Sequence, residues 1–145
     1  MASAISCRRV TGNPNIHEYE GRAAGAANEI QPGDLIRLDS NGELILAATA
    51  HILGICHKAS STTDSTKIPV DVLGVDDTFS IPCNTTTTEA HIGTTCDVTF
   101  TTGAQVATTG GTTDLYCVDL DSIDAVTTDG GRLICRVLPA ALIMV

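Results

Sequence analysis

The stretch Asp34-Leu35-Ile36-Arg37-Leu38-Asp39-Ser40-Asn41-Gly42-Glu43-Leu44-Ile45-Leu46-Ala47 carries the clearest structural signal in the chain. It places Asn41-Gly42 between two apolar runs. Asn and Gly both tolerate the positive φ that a tight turn requires, so this pattern predicts a β-hairpin.

Further short apolar or alternating runs follow the hairpin at intervals of roughly ten residues. They predict strands over residues 52–56, 68–73, 77–81, 96–100, 104–107, 115–120 and 132–138. Pro69 lacks a ladder donor, which favours a sheet edge for its strand. The chain contains 21 threonines and no sustained helical periodicity. The fold is therefore expected to be all-β, a compact sandwich or barrel of about eight to nine short strands.

The N-terminal region differs from this pattern. Residues 1–30 show neither two-residue alternation nor a helical stripe, so they are not expected to bury a face of their own. We predict an extended N-terminal arm over residues 1–30 and a single β domain over 31–145. On this interpretation, deletion of residues 1–20 leaves the β domain folded. Chain ends are usually poorly ordered unless something holds them, so such an arm suggests a binding partner.

Composition restricts the class of partner. The 145-residue chain has eight Lys plus Arg against seventeen Asp plus Glu, a net charge of −9. This balance disfavours direct nucleic-acid binding and gives no attraction to anionic membranes, but it permits docking on a basic protein surface. The N-terminus lacks an apolar segment of signal-peptide length, so synthesis in the cytoplasm is expected. The six cysteines are widely spread without a Cys-x-x-Cys pair, which favours buried thiols.

The residues suited to chemistry do not form a recognisable site. His51, Cys56 and His57 are the one local group of metal-ligand types, and they lack the spacing that zinc sites usually show. No Gly-x-Ser-x-Gly elbow marks a nucleophile, and the two Gly-Gly pairs precede strands instead of helices. We therefore expect no catalytic residue, no metal, no cofactor and no enzymatic activity.

The order of motifs in the front half resembles a known family. Asn13-Pro14-Asn15-Ile16-His17-Glu18-Tyr19 leads through an Ala-rich stretch into Ile30-Gln31-Pro32-Gly33-Asp34 and the hairpin, and Ile52-Leu53-Gly54-Ile55 follows. This order resembles the head decoration (cement) proteins of tailed bacteriophages, which are small and β-rich. The resemblance covers about residues 13–75 in pattern, and the remainder in composition only.

The resemblance implies a non-catalytic structural role in the virion. Such a protein sits on the outer capsid surface, commonly as a homotrimer, and clamps neighbouring subunits of the major capsid protein. The arm would bind the capsid or a neighbouring arm. The implied partner-binding residues are Arg8, Arg9, Asn13, Pro14, Ile16 and Tyr19. The apolar C-terminal tail would either pack back into the core or contact another subunit, through Leu142, Ile143 and Met144.

Two other functions stay open at this point. A β-rich receptor- or glycan-binding module of a virion fibre or spike would suit the Thr-rich loops. Sugar-binding modules usually stack rings on Trp or Tyr, however, and the chain has no Trp and two Tyr. An enzyme on a trimeric β scaffold, such as a nucleotide hydrolase, would need a phosphate-binding loop that the sequence does not show.

Overall fold

The computed structural model describes residues 7–21, 30–47, 51–59, 66–101, 104–121 and 131–142. The strands are β1 (Arg8–Thr11), β2 (Ile16–Gly21), β3 (Leu35–Leu38), β4 (Leu44–Leu46), β5 (Gly54–Cys56), β6 (Thr66–Val72), β7 (Thr78–Pro82), β8 (Thr95–Thr101), β9 (Ala104–Thr109), β10 (Leu115–Leu120) and β11 (Arg132–Val137). Two 3₁₀ helices span Glu89–His91 and Pro139–Ala141. The predicted all-β fold is confirmed, and the described ranges hold eleven strands where eight or nine were expected.

The strands form two sheets. A six-stranded sheet has the order β1-β7-β11-β10-β8-β9, and a closed barrel has the order β2-β4-β3-β5-β6. The hairpin predicted around Asn41-Gly42 is the β3–β4 pair of the barrel, with Gly42 at φ +78°. The six-stranded sheet curls, because Ala107 of β9 bridges Cys83 just beyond β7.

Each sheet contributes to a distinct apolar core. The barrel interior is filled by Ile30, Ile36, Leu44, Leu53, Cys56, Ile68 and Val70. The second core covers the inner face of the six-stranded sheet, with Phe79 among its largest members, and it also includes Leu35 and Ile55 from the barrel strands. Barrel and sheet are therefore joined by one continuous apolar cluster. All six cysteines are free and buried, as the absence of a paired spacing indicated.

Gln105 supplies a polar link between the two sheets. It lies on β9, is fully buried, and reaches the β3–β4 hairpin of the barrel. Its amide nitrogen donates to the carbonyl oxygens of Leu35 at 2.7 Å and Ala47 at 2.8 Å. Its amide oxygen accepts from the N–H of Leu35 at 2.6 Å. Buried polar groups cost free energy unless paired, so this side chain and the backbone groups it meets depend on one another.

Replacement of Gln105 by leucine tests this link. The substitution keeps the approximate volume but leaves the Leu35 N–H and the Ala47 carbonyl buried without their partner, so the free energy of unfolding should fall by about 2–4 kcal/mol. Thr99→Val on β8, the strand that pairs with β9, is the control; it removes one hydroxyl that meets the Thr108 hydroxyl and should lower the free energy of unfolding by about 1 kcal/mol or less. Urea unfolding measures both. Equal losses of unfolding free energy in the two variants would show that the Gln105 hydrogen bonds do not contribute the expected stability.

The prediction of an arm outside the folded domain is wrong for residues 7–21. β1 pairs antiparallel with β7, and β2 pairs antiparallel with β6 over six residues. Residues 7–21 thus run beside residues 66–82 as one long antiparallel ribbon that passes from the six-stranded sheet into the barrel. Cys7 lies in the core. Deletion of residues 1–20 would remove β1 and nearly all of β2, so the remainder is not expected to keep this fold. Residues 1–6 and 22–29 of the predicted arm lie outside the described residues.

The prediction of an edge position for Pro69 is also wrong. Its strand β6 lies between β2 and β5 in the barrel. Pro69 is opposite Glu18, and its carbonyl accepts from the N–H of His57 at 3.0 Å on the other side. The ring nitrogen therefore faces away from β2, so its missing hydrogen costs the β2–β6 ladder nothing.

Candidate partner-binding surface

An exposed strip runs from residue 10 to residue 18, where every residue is exposed. The strip joins the six-stranded sheet to the barrel. It presents two large apolar side chains to solvent, Val10 at 42% and Ile16 at 47% exposure. The strip is held at both ends by strand pairing, so its apolar groups are displayed on fixed backbone.

The Arg9 side chain anchors the start of the strip to the residues that lie below it. Its side chain is only 10% exposed, and its Nε and Nη2 donate to the two carboxylate oxygens of Asp71 at 2.8 and 2.6 Å. Its Nη1 pairs with Asp77 at 2.9 Å. Arg9 belongs to β1 and Asp71 to β6, so this bidentate pair connects the sheet to the barrel. The N–H of Asn15 donates to the same Asp71 carboxylate, which holds the strip just before β2 begins.

Arg9, Asp71 and Asp77 form what is called here the Arg9 clamp. The surroundings of Arg9 and Asp71 favour the charged form of each side chain. Burial is the largest single influence on Asp71 and opposes ionisation, but hydrogen bonds from Arg9 and from the Asn15 N–H outweigh it and lower the pKa of Asp71 below its ordinary value. The pKa of Arg9 is raised, chiefly by its hydrogen bond to Asp71. The pair is therefore ionised at neutral pH.

Gly12 allows the strip to pass over the clamp. Its φ is +92°, and a side chain at this position would overlap the Asp77 carboxylate. Glycine is the residue that accepts both demands.

Replacement of Arg9 by methionine tests the clamp. The substitution keeps most of the side-chain length but leaves Asp71 buried without its cation, so the free energy of unfolding should fall by about 3–5 kcal/mol. Lys67→Met is the control, because Lys67 is 59% exposed and reaches Glu20 at 3.8 Å. It should change stability by less than about 1 kcal/mol. Chemical denaturation checks both variants, and a small loss for Arg9→Met would contradict the assigned role.

The other predicted partner-binding residues have different surroundings. Arg8 is 46% exposed at its side chain and pairs with buried Asp121 at 2.9 Å. Asn13 and Pro14 are exposed within the strip. Tyr19 is half-buried and packs against the barrel core. The structure thus brings Asn13, Pro14 and Ile16 together on the surface. It assigns Arg9 and Tyr19 to internal contacts, so the prediction that these two contact a partner is not supported by their geometry.

The apolar tail packs back where it is described. Leu142 is buried in the core of the six-stranded sheet and bridges Ile52. The prediction that Leu142 contacts another subunit therefore does not hold for this side chain. Ile143 and Met144 lie outside the described residues.

A second polar network lies on the other face of the sheet. Buried Arg132 donates from Nε to the Ser80 hydroxyl at 2.7 Å and from Nη2 to the Ser80 carbonyl at 3.0 Å. The Ser80 hydroxyl in turn donates to Asp121, the partner of Arg8. These contacts, like those of Asp71 and Asp77 with Arg9, were not predicted from the sequence, because nothing in the local spacing of the residues indicates that their segments meet.

The residue types suited to metals or nucleophilic chemistry do not converge. His51 and His57 are exposed, and Cys56 is buried with its thiol directed at the Lys58 carbonyl. Burial raises the pKa of Cys56 to about 11, so its thiol is protonated at neutral pH. Within the described ranges, no three His, Cys, Asp or Glu side chains are placed to hold a metal ion.

Three thiols lie close together in the sheet core. Cys117 and Cys135 are direct cross-strand partners on β10 and β11, and Cys96 lies on β8. Hydrogen bonds to Cys117 and Cys96, together with burial, raise the pKa of Cys135, whereas the hydrogen bond with Cys135 lowers the pKa of Cys117. All three thiols are buried in the sheet core, where a free cysteine packs as a small apolar group.

The chain matches no protein-family model, no curated protein and no solved structure. None of the helices in the described part of the chain is long and apolar enough to cross a membrane.

Proposed function

We propose that this chain is a structural capsid decoration (cement) protein without catalytic activity. It binds the outer surface of a phage head, as a homotrimer, and stabilises contacts between subunits of the major capsid protein. Its location is the virion, after synthesis in the host cytoplasm. The front-half motif order, which resembles that of head decoration proteins, is the basis for naming this class of partner.

The exposed strip is the observation that carries the proposal. Residues 10–18 combine solvent-exposed apolar side chains with a backbone that is fixed by the Arg9 clamp and by strand pairing. A surface held in one conformation loses little conformational freedom on binding, which favours affinity. Such a strip suits attachment to a fixed lattice of subunits better than it suits catalysis.

The charge and the aromatic side chains agree with this choice. The net charge of −9 favours docking on a basic protein surface. A glycan-binding module would offer an open aromatic face, whereas the Tyr116 ring is covered on one side by Arg136, 4.7 Å from its centroid. Tyr19 packs against the barrel core. Both tyrosines thus have internal contacts, which supports cement over the glycan-binding alternative.

Co-sedimentation with expanded phage heads that lack this protein tests the proposal. The wild-type protein should bind saturably and raise the temperature at which the heads disrupt, because a ligand that binds only the assembled state stabilises it. Val10→Asp should weaken binding by about tenfold or more, since it places a charge in the apolar contact.

Val118→Asp is the matched control. Val118 is 40% exposed, close to the 42% of Val10, but it lies on β10, away from the strip. It should bind like the wild type. Absence of wild-type binding would refute the cement function, and equal loss in both variants would refute the assignment of the strip.

A further inference from the structure

The two edges of strand β2 differ in how much of their length is paired with another strand. On one side it pairs with β6 at six successive positions, from Ile16↔Asp71 to Gly21↔Thr66. On the other side, the described residues pair with it at one bridge, Gly21↔Leu44. Within the described residues, the edge of β2 from Ile16 to Glu18 therefore has no neighbouring strand.

The ladder determines which backbone groups face this open edge. The N–H of Val72 donates to the carbonyl of Asn15 at 2.9 Å, and the register then continues without interruption. In an antiparallel ladder, hydrogen-bonded and non-hydrogen-bonded pairs alternate. His17 and Tyr19 therefore bond to β6, while Ile16 and Glu18 direct their N–H and C=O groups outward. Pro69 opposite Glu18 agrees with this assignment, because its own carbonyl faces away from β2.

The side chains of Ile16 and Glu18 determine which partner side chains would fit this edge. Ile16 is 47% exposed, and Glu18, two residues on, is exposed with no ion pair in the described part of the chain. A strand added to this edge would place its side chains directly opposite Ile16 and Glu18 at a two-residue spacing. Apolar and cationic side chains at that spacing match the two positions.

A second copy of the chain fits the edge poorly. An antiparallel copy centred on Glu18 would set the two Glu18 carboxylates directly opposite, and like charges in that position are destabilising. The net charge of −9 on each molecule adds repulsion. Exposed edges are commonly protected by such charges, and the same charge selects a basic partner.

We propose that the open edge of β2 is a strand-addition site for an extended, basic segment of a partner protein. That segment carries an apolar residue and a Lys or Arg two positions apart, which meet Ile16 and Glu18. Backbone hydrogen bonds to Ile16 and Glu18 supply attachment, and the side-chain pattern supplies selectivity. The identity of the partner as the capsid protein rests on the proposed function, whereas the binding mode rests on the geometry of β2.

Glu18→Pro against Glu18→Ala isolates the backbone contribution. Both substitutions remove the carboxylate, but only proline removes the outward N–H. Proline is tolerated where a strand N–H faces away from the ladder, so both variants should fold. Circular dichroism and urea unfolding verify this before binding is compared. Glu18→Lys reverses the charge at the same position.

With heads that lack the protein, Glu18→Pro should bind about tenfold more weakly than Glu18→Ala, and Glu18→Lys should also bind more weakly than Glu18→Ala. Equal binding of the proline and alanine variants, with wild-type binding intact, would overturn the strand-addition site alone.

If the wild type does not bind heads, the proposed function fails and the edge is tested with a blocked peptide of sequence Thr-Lys-Thr-Val-Thr-Lys-Thr-Val-Thr. The peptide should shift the amide resonances of Ile16 and Glu18 in the wild type and bind more weakly to Glu18→Pro than to Glu18→Ala. Absence of binding, or equal binding to the two variants, would overturn the site.

Discussion

The bidentate pair between Arg9 and Asp71 is the interaction on which the arrangement of the two sheets depends. Arg9 leaves the six-stranded sheet on the side that faces the core, since its cross-strand partner is buried Phe79. Asp71 lies near the end of β6 in the barrel and is almost fully buried at its side chain. A buried carboxylate is strongly unfavourable without its cation, so the sheet and the barrel cannot separate here without exposing both charges to water or leaving one unpaired.

The apolar core alone does not specify this geometry. Hydrophobic burial is non-directional, and the core cluster would tolerate several relative positions of barrel and sheet. Arg9–Asp71 at the ribbon and Gln105 at the β3–β4 hairpin are directional contacts at two separate places. Two directional contacts restrict both position and rotation. The apolar cluster therefore supplies most of the favourable free energy, and the polar pairs select one arrangement.

The sequence predicted the elements whose side chains alternate between core and solvent. β10 has the predicted bounds, and Leu133, Cys135 and Val137 of β11 are buried on one face. The Asn41-Gly42 hairpin followed from turn chemistry alone. β1 and β2 were not predicted as strands because most of their side chains are exposed. Backbone pairing defines these strands, and backbone pairing leaves no apolar period in the sequence.

The candidate surface was predictable only in part. Asn13, Pro14 and Ile16 were named as partner-binding residues through the family resemblance, and they are exposed. The internal role of Arg9 was not predictable, because Asp71 and Asp77 lie more than 60 residues away in the chain and are neighbours only through the antiparallel ribbon. Pairing at this range depends on tertiary packing, whereas sequence patterns report local structure.

The most direct measurement is native-state hydrogen exchange of the β2 amides. The ribbon arrangement predicts alternation along this strand. The amides of His17 and Tyr19, bonded to β6, should exchange slowly, and those of Ile16 and Glu18, facing the open edge, should exchange rapidly. Rapid exchange of all four amides would show that residues 16–19 are a free arm and would contradict the ribbon. Slow exchange of all four would show that the outer edge of β2 is already paired.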